Sequence, residues 1–202
     1  MKSVSSQTQV TTQRPATGAA PAATAKPTAP QAPLGADKLA KAGKTVEVTV
    51  IPGKDHLSVT AKAGDSYWSI ARKFASAADG IAPTESEINA YVKDLQALNG
   101  KTLKAGQTVK LPINAHATFM LEAMVAAQKA AAVRQKAGEK LPALDWRTAQ
   151  AAWGYAEAQE ISVTPAKGGK PLGFAAIATG SAKGGSVYKV HDLAAYHKQA
   201  GL

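Results

Sequence analysis

Side chains able to carry out chemistry are sparse in this sequence, and few of them are spaced for it. The four histidines, His56, His116, His191 and His197, follow no metal-ligand spacing, and the last two fall on different faces if their segment is helical. All four are read as ordinary surface groups. Glycosidic hydrolysis needs two positioned carboxylates, yet the fourteen acids lie mostly on predicted helix surfaces and no pair stands out. Glu85, within Thr84-Glu85-Ser86, reads as a first-turn acid favoured by the helix dipole. The glycines between Gly180 and Ser186 lack the Gly-Lys-Ser/Thr order of a phosphate loop and read as a turn. The expectation is a protein that is no enzyme, with no catalytic residue, no metal ligand and no cofactor.

Composition narrows the partners. Aromatic residues make up 5% of the chain, so its core must be assembled from Ala, Val, Leu and Ile in small packed units. Cysteine is absent, which excludes disulfides and thiolate metal sites but is compatible with any redox compartment. The net charge of +10 favours polyanions. Its lysines are scattered without interleaved aromatics, so the stacking platform of a single-strand nucleic-acid binder is missing and nucleic acid is disfavoured. A lysine at position 2 is followed by no apolar stretch, and no run approaches a membrane span, so neither a Sec signal nor a membrane anchor is expected.

The elements follow from pattern. Residues 1–44 hold five of the eleven prolines, no aromatic residue and a single acid, Asp37, and are expected to form a flexible, disordered Pro/Ala/Thr-rich arm. Val46, Val48 and Val50 alternate with polar residues, Pro52-Gly53-Lys54-Asp55 follows as a turn, and Leu57, Val59 and Ala61 alternate again, which predicts a β-hairpin. Past Pro112, a helix is expected from Ala115 to Lys136 with Met120, Met124, Ala127 and Ala131 on one stripe, and a second from Asp145 to Glu160 carrying Trp146, Ala149, Trp153 and Ala156. The tetrapeptide Ala-Lys-Gly-Gly occurs at 166–169 and again at 182–185, separating β-prone runs at 161–164, 172–179 and 186–190 that predict a three-stranded meander. A closing helix is expected over 192–199.

Between Leu57 and Pro112 the pieces interlock. Gly64 permits a sharp strand-to-helix turn, Asp65 or Ser66 can cap the helix, and Tyr67, Ile70, Ala71 and Phe74 form an apolar stripe. A second helix from Glu85 or Ser86 offers Ile88, Tyr91, Val92, Leu95 and Leu98, ends at Asn99-Gly100, and leads to a strand at Val109–Leu111 antiparallel to the first. The result is a βααβ layer. Gly64, Asp65, Ile70, Ala71, Leu98, Asn99, Leu103, Gly106, Gln107 and Pro112, in that order, resemble the signature of the LysM family. Ser66, Tyr67 and Ala105 stand where that signature has Thr, Leu and Pro, and the stretch 76–89 is longer than in a minimal LysM. Loop closure absorbs such an insertion at small entropic cost.

Pattern and resemblance together predict an α+β chain in three parts: the arm 1–44, a LysM-like module over 45–112 with an extra N-terminal strand, and, outside the resemblance, a helical region with a short β-meander over 113–202 that serves assembly. The resemblance also implies binding of N-acetylglucosamine-containing glycan strands, peptidoglycan above all. The groove is formed by Gly64, Asp65, Ser66 and Tyr67 in one loop and Asn99, Gly100, Lys101, Thr102 and Leu103 in the other, with Trp68 either flanking it or half-buried. One groove gives weak attachment, so a homo-oligomer or an assembly with other structural proteins is expected. With no signal seen, the expected setting is a virion, as a phage tail or baseplate structural protein. The alternatives are a bacterial wall-associated or extracellular LysM protein and a muralytic enzyme whose catalytic region lies in 113–202.

Overall fold

Alternating valines make Val46–Val50 a strand (β1), and the chain must turn after it. The amides of Lys54 and Asp55 donate to the Ile51 carbonyl at 3.0 and 2.9 Å, while the Asp55 carboxylate accepts from the Ile51 amide at 2.8 Å. In the computed structural model, which describes residues 45–75, 82–113 and 118–202, this turn hands the chain from one sheet to another. The expected arm, the loop between the two helices around Asp79-Gly80-Ile81, and His116 lie outside the described residues.

The remaining elements are β2 (Leu57–Thr60), α1 (Tyr67–Ala75), α2 (Glu85–Asn99), β3 (Thr108–Leu111), α3 (Thr118–Lys136), a 3-10 turn Trp146–Thr148, β4 (Gln150–Trp153), a second 3-10 turn Tyr155–Glu157, β5 (Gln159–Val163), β6 (Leu172–Ala182), β7 (Gly185–Asp192) and α4 (Leu193–Ala200). The class is α+β, with the expected βααβ order followed by a helix and a β-rich region. β2 and β3 form their own antiparallel pair, Leu57 opposite Leu111 and Thr60 opposite Thr108. The other strands form a five-stranded antiparallel sheet in the order β1-β7-β6-β5-β4. The predicted β1–β2 hairpin is therefore wrong: β1 pairs with β7, Val46 opposite Val190 and Val50 opposite Ser186, and the strand expected to extend the LysM-like module belongs to the larger sheet. The alternation in both strands was real, but each pairs in a different sheet: Val48 and Val50 are buried where β1 packs on α3, and Leu57 and Val59 are buried in the β2–β3 pair.

The helix expected from Asp145 to Glu160 is also absent. Trp146, Ala149, Trp153 and Ala156 do recur at helical spacing, yet this stretch forms two 3-10 turns and β4, which pairs with β5 from Gln150–Ser162 to Trp153–Gln159. Sheet pairing overrides the helix preference of the alanines, and Gly154 sits where a side chain would strike the Glu160 carboxylate at 2.2 Å. The meander itself forms as expected, β5-β6-β7, with Lys183 and Gly184 both at positive φ in its second turn. His191, expected at the surface, is instead buried in β7 and shares no helix with His197.

The helix α3 joins the two sheets. Every residue from Met120 to Ala127 is buried because α3 packs on β1, β5, β6 and β7 on one side and reaches β2 on another. A helix apolar all round is a buried helix, and alanine's small side chain lets both sheets approach it. Its polar residues are satisfied internally: Glu122 accepts from the Tyr188 hydroxyl at 3.0 Å, and Arg134 holds Glu139 by two bonds at 2.8 and 2.6 Å beside the Phe174 ring. The Gln128 amide brackets Ser58, donating to its carbonyl and accepting from its amide, both at 2.9 Å, so the open edge of β2 is closed by a side chain.

Candidate functional site

The site is built at one end of the two-stranded sheet. Past Thr60 the ladder continues into loop: the Ala61 amide donates to the Gln107 carbonyl at 2.9 Å and the Gly106 amide to the Ala61 carbonyl at 2.8 Å. Residues 62–66 and 99–107 therefore leave the sheet together.

The first loop is a turn with fixed chemistry. Gly64 takes φ +84, the Asp65 amide donates to the Lys62 carbonyl at 3.1 Å, and the Asp65 carboxylate accepts from the Lys62 amide at 2.5 Å. Ser66 is the helix cap: its hydroxyl accepts from the Ser69 amide at 3.1 Å, the Ser69 hydroxyl accepts from the Ser66 amide at 3.0 Å, and both orphan donors are satisfied. Tyr67 is buried in the helix-facing core, while Trp68 on the next position is 42% exposed with the Arg72 guanidinium 5.5 Å from its ring.

The second loop hangs from Asn99. Its side-chain amide donates to the carbonyls of Leu95 (2.9 Å) and Lys110 (2.8 Å) and accepts from the Lys110 amide at 2.8 Å, so it stitches the end of α2 to the outer edge of β3. Gly100 follows at φ +89, and Gln107 spans the loop, accepting from the Lys104 amide at 3.0 Å and donating to the Asn99 carbonyl at 3.3 Å. Leu103 turns inward onto the core, while Gly100, Lys101, Thr102 and Lys104 stay exposed. Of the nine residues expected to line a groove, Asp65, Ser66, Tyr67, Asn99 and Leu103 have side chains engaged in building it. Gly64, Gly100, Lys101 and Thr102 are exposed and offer backbone, hydroxyl and ammonium groups.

Sequence reasoning missed three residues at this site, Lys62, Asp145 and Arg147. Arg147 donates to the free oxygen of Asp65 at 2.7 Å, and Lys62 donates to Asp145 at 2.9 Å, while the other Asp145 oxygen accepts from the Arg147 amide at 3.1 Å. These contacts close a ring, Lys62–Asp145–Arg147–Asp65–Lys62, that fastens the first loop to the 3-10 turn before β4. Burial pushes the Asp145 carboxyl up, but Lys62 and Arg147 together outweigh it and hold it below its ordinary value. Burial, reinforced by the Arg147 charge, lowers the nearby Lys73 ammonium. Asp145-Trp146-Arg147 does read as a cap motif in sequence, but a partner more than eighty residues away leaves no local trace.

The arrangement offers peptide groups, hydroxyls and ammonium groups along an open surface, which is chemistry for binding a polar ligand. Among the described residues, no cluster of three or more His, Asp and Glu is placed to hold a metal ion, and no helix is long and apolar enough to cross a membrane.

Residues 59–112 match the family model of the LysM domain, so both loops belong to a recognised module of the general glycan-binding class. No curated protein and no solved structure matches the chain.

Proposed function

We propose that the protein binds N-acetylglucosamine-containing glycan, peptidoglycan in particular, through the groove between Gly64–Tyr67 and Asn99–Leu103, and that it does so without catalysis as a targeting part of a larger assembly. One observation carries this reading: the two loops that the family pattern assigns to the ligand leave the same end of one sheet with their backbone groups held in place and exposed. Peptide amides and carbonyls suit an N-acetyl group, and the exposed Thr102 hydroxyl suits sugar hydroxyls.

One LysM module gives one shallow groove, so firm attachment calls for several copies, supplied by a homo-oligomer or by neighbouring structural proteins. The setting we propose is a phage tail or baseplate, where such copies are arrayed and the partner is the wall being crossed. Proteomics and antibody labelling of purified particles would find the chain in the virion; its absence from particles, with recovery in the host wall or the medium, refutes that setting while leaving glycan binding intact.

The groove itself is tested by titrating the full chain with soluble chitin oligosaccharides and following backbone amide resonances. Shifts concentrated at Gly64–Tyr67 and Asn99–Lys104 are expected. Shifts elsewhere, or none at saturating sugar, refute the assignment.

A further inference from the structure

The β4–β5 hairpin places two aromatic rings in water. Trp153 is 62% exposed and Tyr155 is 52% exposed. They lie two residues apart at the tip of the hairpin, Trp153 at the end of β4 and Tyr155 at the start of the 3-10 turn.

The tip that carries them is held from several directions. The Gly154 amide donates to the Ala158 carbonyl at 2.8 Å, the Ala158 amide to the Tyr155 carbonyl at 3.2 Å, and the buried Tyr196 of α4 donates its hydroxyl to the same Tyr155 carbonyl. His197 of α4 grips Glu160 at 2.7 Å from the opposite side. The two turn residues, Ala156 at φ +53 and Glu157 at φ +59, are non-glycine residues in the left-handed region, where a turn of this kind ordinarily uses Asn-Gly. Surroundings that over-determine a strained backbone while leaving two large rings in solvent mark a surface built for contact.

The size of the patch selects the partner. The exposed parts of the two rings amount to about 200–300 Å², whereas a stable protein interface takes about 800 Å² from each side. The exposed residues around them on the hairpin are Ala152, Ala156 and Glu157, which extend no apolar surface. Two rings with the exposed Glu157 nearby suit a pyranose, whose C–H face lies on an aromatic ring while its hydroxyls bond at the rim.

We propose that Trp153 and Tyr155 form a second glycan-contacting platform, outside the LysM groove, that takes sugar rings of the same glycan strand. This rests on the groove binding glycan. The two sites share one stretch of chain: Arg147 bonds to Asp65 of the groove loop, and Trp153 follows six residues later, no more than about 20 Å away by chain length. A long strand can span both sites, and a short oligosaccharide fills only one. Such bivalency raises affinity without improving either site.

The test compares the full wild-type chain with the Trp153→Ala/Tyr155→Ala double variant, and with Trp153→Phe/Tyr155→Phe, which keeps the rings, across chitin oligosaccharides of increasing length. Wild type is expected to gain about tenfold in affinity from short to long oligosaccharides. The alanine variant should bind short ones as wild type does and lose the gain, and the phenylalanine variant should retain most of it. Equal affinity of wild type and the alanine variant for long oligosaccharides overturns the platform, and so does an equal loss at every length, which marks a structural effect on the groove. Unchanged glycan affinity with a smaller assembly on sedimentation overturns it in favour of a protein contact. Failure of wild type to bind at any length refutes the groove, and the platform with it.

Discussion

Replacing Arg147 by methionine keeps the side chain's apolar reach and removes the guanidinium from the ring that closes on the groove loop. The Arg147–Asp65 contact is 2.7 Å long between side chains that are 19% and 11% exposed, so water screens it far less than a surface pair. A charge-assisted hydrogen bond in such a place is worth about 1.5–3 kcal/mol. Taking about 2 kcal/mol and a domain of this size, the melting temperature should fall by about 4–8 °C. The loop consequence is separate. Residues 62–66 would keep the bonds within the turn and the exposed Lys62–Asp145 pair but lose the part-buried tie from Asp65 to the 3-10 turn. Restoring their order on binding at about 1 kcal/mol or slightly more should weaken glycan affinity about five- to tenfold. Asp65→Asn, measured alone and with Arg147→Met in thermal melts and in oligosaccharide titrations, completes a double-mutant cycle. A coupling energy of at least about 1 kcal/mol in stability is expected; effects that add to within about 0.5 kcal/mol refute the ring as a unit. A variant that loses stability yet binds sugar as wild type does refutes the preorganisation argument alone.

Other consequences follow from the same packing. Tyr188→Phe strips the buried Glu122 of its 3.0 Å donor, and about 1–3 kcal/mol of stability should be lost in denaturant unfolding with the slope m unchanged. Gly185→Ala drives a methyl group to 2.3 Å from the Val50 carbonyl, so β1 should detach from β7 and the amides of residues 46–50 should lose protection in hydrogen exchange; full protection contradicts the pairing. Burial, assisted by the Lys189 charge, keeps His191 below its ordinary 6.5, and burial with Lys110 does the same for His56 against the opposing pull of Asp55. The unfolded chain therefore binds more protons below pH 6.5, and stability should decline as pH falls from that point toward the folded-state values. Asp55 and Asp145, held below 3.8 in the folded protein, add a second loss that begins only below about pH 4. Melts from pH 8 to 3 should show both steps, with His191→Gln shrinking the first; a flat profile from pH 8 to 5 contradicts it.

What could be read from sequence was what is local. The apolar stripes of α1 and α2, and the glycines at 64, 100 and 106, all act within a few residues, and the module they specify formed as read. α2 starts at Glu85 as read, capped by Thr84 in a reciprocal box with Glu87. The errors came where partners are distant. β1 alternates equally well beside β2 or β7, and only the burial of Val48 and Val50 against α3 decides. The alanines of 149–158 prefer helix in isolation, and the ladder with β5 overrules them. Arg134, outside the Met and Ala stripe, is buried against Phe174 with Glu139 as its counter-ion. Asp65 and Asn99 carry the family pattern, yet both serve to hold the loops.

The central claim, that this chain holds glycan through the LysM groove, is tested most directly by co-sedimentation of the full chain with purified peptidoglycan sacculi across a salt series. With a net charge of +10, electrostatic adhesion alone would fade as salt screens it. The groove predicts retention at moderate salt, and release by soluble chitin oligosaccharide at that same salt. A chain that stays in the supernatant, or leaves the pellet with salt alone and ignores the competing sugar, contradicts it.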